Sequence, residues 1–472
     1  MSMLLVIVTL MTFISAVKCE TPYTLWFGNA ADNDPYAIFV RTSGEYYIVW
    51  GDITEGVSPI VVSKFNSTGG NPWNFEVLLD TNVLASANIV QAYMYGDTIY
   101  VLVNAKDTAN NIHAYVVAID VVNKQVKWVK EVSKLKGTDI FVTSYFVYTF
   151  HTLLGDVYPF YIARYDFNND IKLSIKYDPD PAGTDYAVAR DAASDGTYLY
   201  VVGGYKTGYG SNIWIFRTRV GYETTYYTQV YYSTGSSSEG VGVVQDANYL
   251  YVLAASHYAV DKWNYFGIMK VDKATLDIVS YKFYSIEGYY FSELWEGAAG
   301  PSLTDPIVLE DGYIYIVGYI VNSANTALKD VVVGKIDPVS LNIVWLKKWD
   351  CDENDIGKAI ATDTGQNRVI VAARATSNIG TLSSLTWSSV DLTLTKYTPE
   401  ITVPYSGTVT PETIAYTTNT ISNDPAGLDA VVISLSTALG EPIPIPEAPI
   451  IPLVLAVVPI LAIYLAYNKR KT

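Results

Sequence analysis

The sequence predicts an all-β protein built from one repeated four-stranded unit, and three observations predict it. No long segment carries apolar residues at the 3.6-residue spacing of a helix, and alternating apolar runs broken by Gly, Asn, Asp and Ser dominate instead. Forty of the 472 residues are Tyr, a type that suits the half-buried face of a sheet. A strand of the form Gly-x-x-h-Tyr-h-h, with h apolar, recurs along the chain. Its central residues are Tyr47, Tyr100, Tyr148, Tyr200, Tyr251, Tyr315 and Ile370, at steps of 53, 48, 52, 51, 64 and 55 residues.

Each Tyr strand is followed by a second: IVVSKFN, YVVAIDVVN, FYIARYDFN, IWIFRTRV, YFGIMKVDKAT and VVVGKIDPVS. A third continues through a turn, clearest in residues 119–132 (IDVVNKQVKWVKEV) and 336–349 (IDPVSLNIVWLKKW). A fourth lies ahead of the Tyr strand, as in residues 185–193 (DYAVARDAA) and 355–363 (DIGKAIATD). Four antiparallel strands in about 50 residues is the size of a β-propeller blade. Seven such blades are expected, with an extra C-terminal hairpin over residues 388–400 and 411–436. The alternative makes that hairpin an eighth, truncated blade. Residues 23–28 (YTLWFG) have the form of a lone outer strand that closes the ring by joining the last blade. The 64-residue step marks an insertion at residues 287–302, expected as an extended loop.

The two ends predict an address. Residues 1–17 carry no charge and are too short for a comfortable span, so residues 1–19 read as a secretory signal peptide, with an uncleaved anchor as the competing reading. Residues 448–468 are 21 residues without a charge, about 30 Å as a helix, and Lys469, Arg470 and Lys471 follow at once. The predicted layout is a propeller ectodomain over 20–437, a Pro-rich stalk over 438–448, a transmembrane helix over 449–467 and a cytoplasmic tail over 468–472. It describes a single-pass protein of the cell membrane with its ectodomain outside.

Charge and composition exclude several functions. Lys plus Arg number 31 against 47 Asp plus Glu, a formal charge of −16 that repels phosphate backbones and argues against nucleic acid as a partner. Two Cys and three His leave no disulfide framework and no Cys/His zinc site. Asn66 opens the Asn-Ser-Thr sequon and is a candidate glycosylation site.

Acidic residues gather ahead of the innermost strands, including Asp32, Asp34, Asp178, Asp180, Asp185, Glu239, Asp305, Asp350, Asp352, Glu353 and Asp355. In a propeller such loops share one face, where oxygen ligands could hold Ca²⁺. The competing reading is that these residues are turn formers whose side chains cap local backbone. Asp34, Asp185, Glu239 and Asp355 are the candidate binding residues. Asp185 and Asp355 are singled out because each stands 15 residues ahead of its repeat's central residue, Tyr200 or Ile370. No pair of carboxylates is picked out for glycoside chemistry. His113, His151 and His257 lie near no Gly-x-Ser-x-Gly, so no Ser-His-Asp centre is expected and no catalytic residue is assigned. Trp128 and Trp345 read as inter-blade core rather than cofactor docking. Residues 203–211 and 233–240 are expected as solvent loops, with Tyr205 and Tyr209 as an aromatic rim for sugars or a partner.

Residues 330–377 carry the sharpest unit: Asp330, Lys335, Asp337, Trp345, Asp355, Ala359, Asp363 and Asn367 stand at its recurring positions. This unit resembles the SBBP repeat of bacterial and archaeal β-propellers, although the Gly-Gly pair that precedes the Asp in that family is missing. The resemblance implies a surface or secreted scaffold with no shared reaction. The expected function is a membrane-anchored cell-surface propeller that binds a cell-envelope protein or a glycan without catalysis. An extracytoplasmic polysaccharide hydrolase or lyase is the first alternative, and a surface-layer structural subunit is the second.

Overall fold

The computed structural model describes residues 23–436, apart from intervening stretches such as 28–32, 292–304 and 408–415. All regular structure among these residues is β-strand, save one 3-10 turn at Thr364–Gln366. No described helix is long and apolar enough to cross a membrane. The predicted signal, stalk, span and tail lie outside the described residues, as does Cys351. The described residues belong to one compact unit.

After β1 (Tyr23–Phe27), the chain folds as a series of antiparallel meanders. The first is β2 (Asn33–Thr42), β3 (Glu45–Asp52), β4 (Ile60–Asn66) and β5 (Trp73–Leu79). The second is β6 (Leu84–Tyr95), β7 (Thr98–Asp107), β8 (Ile112–Asp120) and β9 (Gln125–Ser133). The third is β10 (Lys136–Val142), β11 (Phe146–Thr152), β12 (Phe160–Asp166) and β13 (Ile171–Asp178). The fourth is β14 (Tyr186–Ser194), β15 (Tyr198–Thr207), β16 (Gly210–Arg219) and β17 (Tyr222–Ser233). The fifth is β18 (Ser237–Gln245), β19 (Tyr249–His257), β20 (Tyr265–Asp272) and β21 (Ile278–Ile286). A short strand, β22 (Tyr289–Phe291), then pairs with both β21 and β24, merging the fifth sheet with the sixth. It occupies the start of the insertion expected as a loop. The sixth meander is β23 (Ile307–Glu310), β24 (Tyr313–Asn322), β25 (Lys329–Ile336) and β26 (Ile343–Trp349).

The seventh repeat is assembled from both ends of the chain. Its first two strands are β27 (Ile356–Asp363) and β28 (Arg368–Ala375). Between β28 and its third strand the chain makes β29 (Leu382–Ser384), β30 (Trp387–Val390), β31 (Leu394–Tyr397), β32 (Thr402–Gly407) and β33 (Tyr416–Asn419). These add to the outer strands β26, β21, β17, β13 and β5 in turn. The segment thus runs backward along the sixth, fifth, fourth, third and first repeats. It then enters the seventh as β34 (Asp429–Ser436), paired between β28 and β1. The C-terminal hairpin expected from the sequence is therefore not formed: β33 and β34 pair with different repeats. Period-2 alternation is met as well by covering an existing outer edge, which removes its unpaired backbone groups, as by making a new hairpin. The expected closing strand, by contrast, is β1.

The recurring Tyr has a physical reason. Five of the six face a cation on the next strand: Tyr47–Lys64, Tyr148–Arg164, Tyr200–Arg217, Tyr251–Lys270 and Tyr315–Lys335. The ammonium groups of Lys64, Lys270 and Lys335 lie 5.6–5.7 Å from these ring centres, within cation–π range. Ring and aliphatic stem cover each other; Lys64 stays partly exposed, whereas Lys335 is buried.

The core is divided among the seams between neighbouring repeats. Tyr47, Val49 and Ile60 of the first repeat pack with Ile99 and Val101 of the second. Leu102 and Val116 of the second repeat meet Tyr165 of the third across the next seam, where the partly buried Trp128 of the second packs edge-on to Tyr165 at 5.9 Å, an inter-repeat place as expected. Equivalent clusters join the third to the fourth repeat, the fourth to the fifth and the fifth to the sixth. A small cluster of Tyr319, Val321 and Ile356 joins the sixth to the seventh. Ile38, Tyr46 and Ile48 then pack on Ala359 and Ile370, so the seventh repeat packs on the first.

Candidate functional site at the inner strands

In six repeats the first strand carries a β-bulge at one depth. The extra residue is Tyr36, Val90, Thr138, Arg190, Val241 or Lys358. The residue after it always faces the position two beyond the repeated Tyr or Ile, as in Asp139–Phe150 and Asp191–Val202. A bulge frees backbone groups from the ladder and re-aims a side chain, which is why bulges gather near sites.

Two bulge residues are cations, and each meets an acid two residues ahead of the next repeat's bulge. Lys358 Nζ lies 2.8 Å from Asp34 Oδ2, with side chains 1% and 5% exposed. Arg190 lies 3.2 Å from Glu239 Oε2, and Glu239 Oε1 also accepts from Ser211 Oγ at 2.7 Å. Burial holds the Lys358 ammonium below its usual range, a cost that the Asp34 charge offsets in part. The sequence prepares room for Glu239: a Cβ on Gly204 would stand 2.8 Å from Glu239 Oε1, and one on Gly203 would strike the Val188 carbonyl. Residues 203–207 are accordingly strand β15, not the expected solvent loop, and Tyr205 is buried in the core between the third and fourth repeats. Tyr209 lies outside the described residues. Likewise residues 237–240 begin β18, where Ser238 Oγ donates to Ser256 Oγ at 2.8 Å.

Of the four predicted binding residues, Asp34 and Glu239 do share a level, each with a cation. Asp355 is buried, and its amide donates to the Lys329 carbonyl at 2.9 Å. Asp185 lies outside the described residues. Equal spacing from Tyr200 and Ile370 is not equal spacing from the bulge. The bulge lies 10 residues ahead of Tyr200 but 12 ahead of Ile370, because the 3-10 turn lengthens the β27–β28 connection. Counted from the bulge, the counterpart of Asp355 in β14 is Ala187. Asp34, Glu239 and Asp355 belong to three different seams.

The structure instead brings together carboxyls that the spacing argument passed over. Asp139 and Asp191 each follow their bulge and stand nine residues ahead of Tyr148 and Tyr200, a shared offset that the sequence does contain. Their Oδ1 atoms accept from the amides of Ile140 and Ala192, both at 2.7 Å, closing the gap that the bulge leaves in the ladder. Gln91 does the same for Ala92 at 3.1 Å. Asp191 Oδ2 reaches the next repeat and accepts from Val243 N at 2.6 Å, whereas Asp139 Oδ2 has no partner. Asp305 completes the group; it bridges the seventh repeat through Asp305 N to Lys358 O and Ile360 N to Asp305 O. Burial first, and mutual repulsion second, push Asp139 and Asp191 well above the carboxylate range. Burial lifts Asp305 to about 7. The phenol of Tyr93, facing the same three carboxyls, is pushed up as well, first by burial.

Chemically this is a set of buried carboxyls whose surroundings favour the protonated form, with Asp139 and Asp191 only 2% and 9% exposed. Among the described residues no group of three or more His, Cys, Asp and Glu is placed to hold a metal ion. His151 is buried beside Thr149, and burial depresses it to about 3. His113 bridges Glu131 and Asp107. Asn66 ends β4, and its Oδ1 accepts from Thr68 N and Oγ1, so the sequon forms a local turn.

No protein-family profile matches the sequence, and no curated protein is similar to it. Among solved structures, the chain is similar to a puromycin-hydrolyzing peptidase of Mycobacterium tuberculosis, at 12% identity and a TM-score of 0.44 over 82% of this chain. It spans only 56% of that peptidase's length. A neuraminidase-like protein from a flat-faced bat isolate aligns at 12% identity and a TM-score of 0.37, over 64% of this chain and 84% of that one. A mutant Synechocystis apocarotenoid oxygenase aligns at 10% identity and a TM-score of 0.35, over 68% and 91%.

Proposed function

We propose that the chain is a seven-bladed propeller of the SBBP repeat kind, displayed outside the cell by a C-terminal membrane anchor, which binds a cell-envelope protein or glycan without catalysis. Seven four-stranded groups, each packed on the next, support the blade count, and the β1–β34 pairing supports closure by the N-terminal strand. The anchor rests on the uncharged 448–468 segment and the three cations after it. The observation that carries the non-catalytic reading is the state of the inner acids. Asp34 and Glu239 are neutralised by Lys358 and Arg190, and Asp139 and Asp191 are sealed between blades. These four acids, among the described residues, offer a polymer no open pair of carboxyls.

The test has two arms. Protease applied to intact cells should release a fragment ending within the Pro-rich stalk, and a full-length chain recovered without detergent would remove the anchor. Purified full-length chain should bind envelope material while releasing no reducing ends from it. The raised Asp139 and Asp191 favour one second reading, a polysaccharide hydrolase or lyase with one of them as general acid. Release of reducing ends that disappears in Asp139→Asn would establish it.

A further inference from the structure

The exposed rings of the described residues gather at one end of three neighbouring repeats. Tyr95, Tyr145, Tyr222 and Tyr227 are 41%, 64%, 63% and 58% exposed. Tyr95 stands at the β6–β7 turn, Tyr145 in the β10–β11 turn and Tyr222 just past the β16–β17 turn. In an antiparallel meander the first and third turns fall at the same end, so these residues share one end of the second, third and fourth repeats.

Contacts join them into one surface. The Tyr95 ring stacks on Phe167 with centroids 5.4 Å apart and planes 11° apart. Phe167 follows Asp166, the register partner of Phe146, and Phe146 lies 6.3 Å from Tyr145. A Cβ on Gly221 would be 3.6 Å from the Phe146 ring, so the fourth repeat's turn rests on the third's and sets Tyr222 beside it. Guanidinium groups stiffen the set. Arg164 covers Phe146 at 4.6 Å, Arg219 covers Tyr222 at 4.9 Å, and Arg217 sits between Tyr198 and Tyr227 at 4.8 and 4.4 Å.

We infer that this end of the second to fourth repeats is a binding platform for a neutral saccharide chain. The inference rests on the binding reading above and names its ligand. The exposed rings of Tyr95, Tyr145 and Tyr222, spread along one end of three neighbouring repeats, suit a run of sugar rings laid along them rather than a single side chain inserted as a knob. Arg217 is already committed, donating to the Lys273 and Ala274 carbonyls at 2.5 and 2.7 Å, so it is not held ready for an acidic partner. The whole-chain charge of −16 opposes anionic polymers at long range. Beside the three guanidinium groups, each laid on a ring, the surface presents exposed tyrosine rings and phenol hydroxyls, which suit an uncharged polyol.

The test titrates the full-length chain with cellohexaose and mannohexaose, with polygalacturonate as an anionic comparison. At least one neutral oligomer should bind, with an affinity that salt leaves unchanged. The Tyr145→Ala, Tyr222→Ala double variant should bind about tenfold more weakly, the loss of roughly one stacked ring pair. The matching Tyr→Phe variant should stay within about threefold, since stacking needs the ring and not the hydroxyl. Val83→Ala, on the β5–β6 connection at the opposite end, should change nothing. Failure of both neutral oligomers to bind, or an undiminished alanine variant, would overturn the inference. Binding of polygalacturonate alone would overturn it too. Capture of an envelope protein through the same tyrosines, without saccharide binding, would refute the saccharide and leave the binding function standing. Loss of all binding to envelope material would refute both.

Discussion

Two seams use one device at two depths. Where the seventh repeat meets the first, Lys358 and Asp34 are both nearly sealed from water. Where the fourth meets the fifth, Arg190 keeps 26% of its side chain exposed while Glu239 is buried. Register, polarity and spacing from the bulge are the same; the setting is not. The internal seam joins repeats that are continuous in sequence, so their proximity is supplied by short connections. The closing seam joins residues more than 300 positions apart, and loop closure gives it nothing beforehand. A buried ion pair is a poor source of net stability but a strict judge of geometry, because either charge alone is expensive in the interior. The contrast suggests that the deeper pair sits where register is least determined by the chain itself.

Breaking the closing seam should therefore have the largest effect. Deleting residues 21–28 removes β1 and leaves the β34 edge unpaired, and thermal unfolding should lose several kcal/mol or lose its single transition. Transitions identical to those of the intact chain would show that the seventh repeat does not need its fourth strand. Next in size, Lys358→Met should cost about 3–5 kcal/mol in denaturant titration by leaving Asp34 buried and unpaired. Adding Asp34→Leu should recover most of that loss, since removing both charges removes the desolvation penalty; a double variant as weak as the single would mean that packing, not charge, is at stake. At the internal seam Arg190→Met should cost less, about 1–2 kcal/mol, because Glu239 keeps its bond from Ser211 and water is close. Equal losses at the two seams would erase the comparison.

Much of this architecture was legible in the chain. Tyr47, Tyr148, Tyr200, Tyr251 and Tyr315 each face a Lys or Arg across the ladder, and both partners can be read by position. The outer strand β1 was legible too, being a strand with no neighbour in sequence. The bulges were not, because one inserted residue barely disturbs an alternating pattern, yet it decides which side chains face the seam. Aligning on the strand after the hairpin counts 15 residues back to both 185 and 355, but the 3-10 turn capped by Asp363 makes the count from the bulge differ by two between β14 and β27. Gly203 and Gly204 read as loop because glycine is permissive; here they mark close approach within a strand. Strands β29–β33 show the deepest limit. Alternation tells that a segment is a strand and is silent about which edge it will cover.

The smallest effect, and the one that most sharpens the contrast between paired and unpaired seam charges, is that of pH. Asp139, Asp191 and Asp305 all have folded-state values above their unfolded ones, so the fold favours the protonated form. The stability they contribute is complete below about pH 4 and falls as pH rises toward about 7, where Asp305 gives up its proton. His151 works in the opposite sense: its folded value near 3 lies below the unfolded one, so its contribution is lost as pH falls from about 6.5. Three carboxyls outweigh one imidazole, and the molecule should be more stable at pH 4.5 than at pH 7.5. Further acidification should reverse the trend as Glu45, held near 2 by Lys64, Tyr47 and Arg41, begins to protonate. Asp139→Asn isolates the effect, because Asp139 Oδ2 accepts no hydrogen bond that an amide would break. Denaturant midpoints for the variant should match the wild type at pH 4.5 and exceed it at pH 7.5, narrowing the gap between the two conditions. A gap that the substitution leaves untouched would mean that these carboxyls do not share their charge across the seams between repeats.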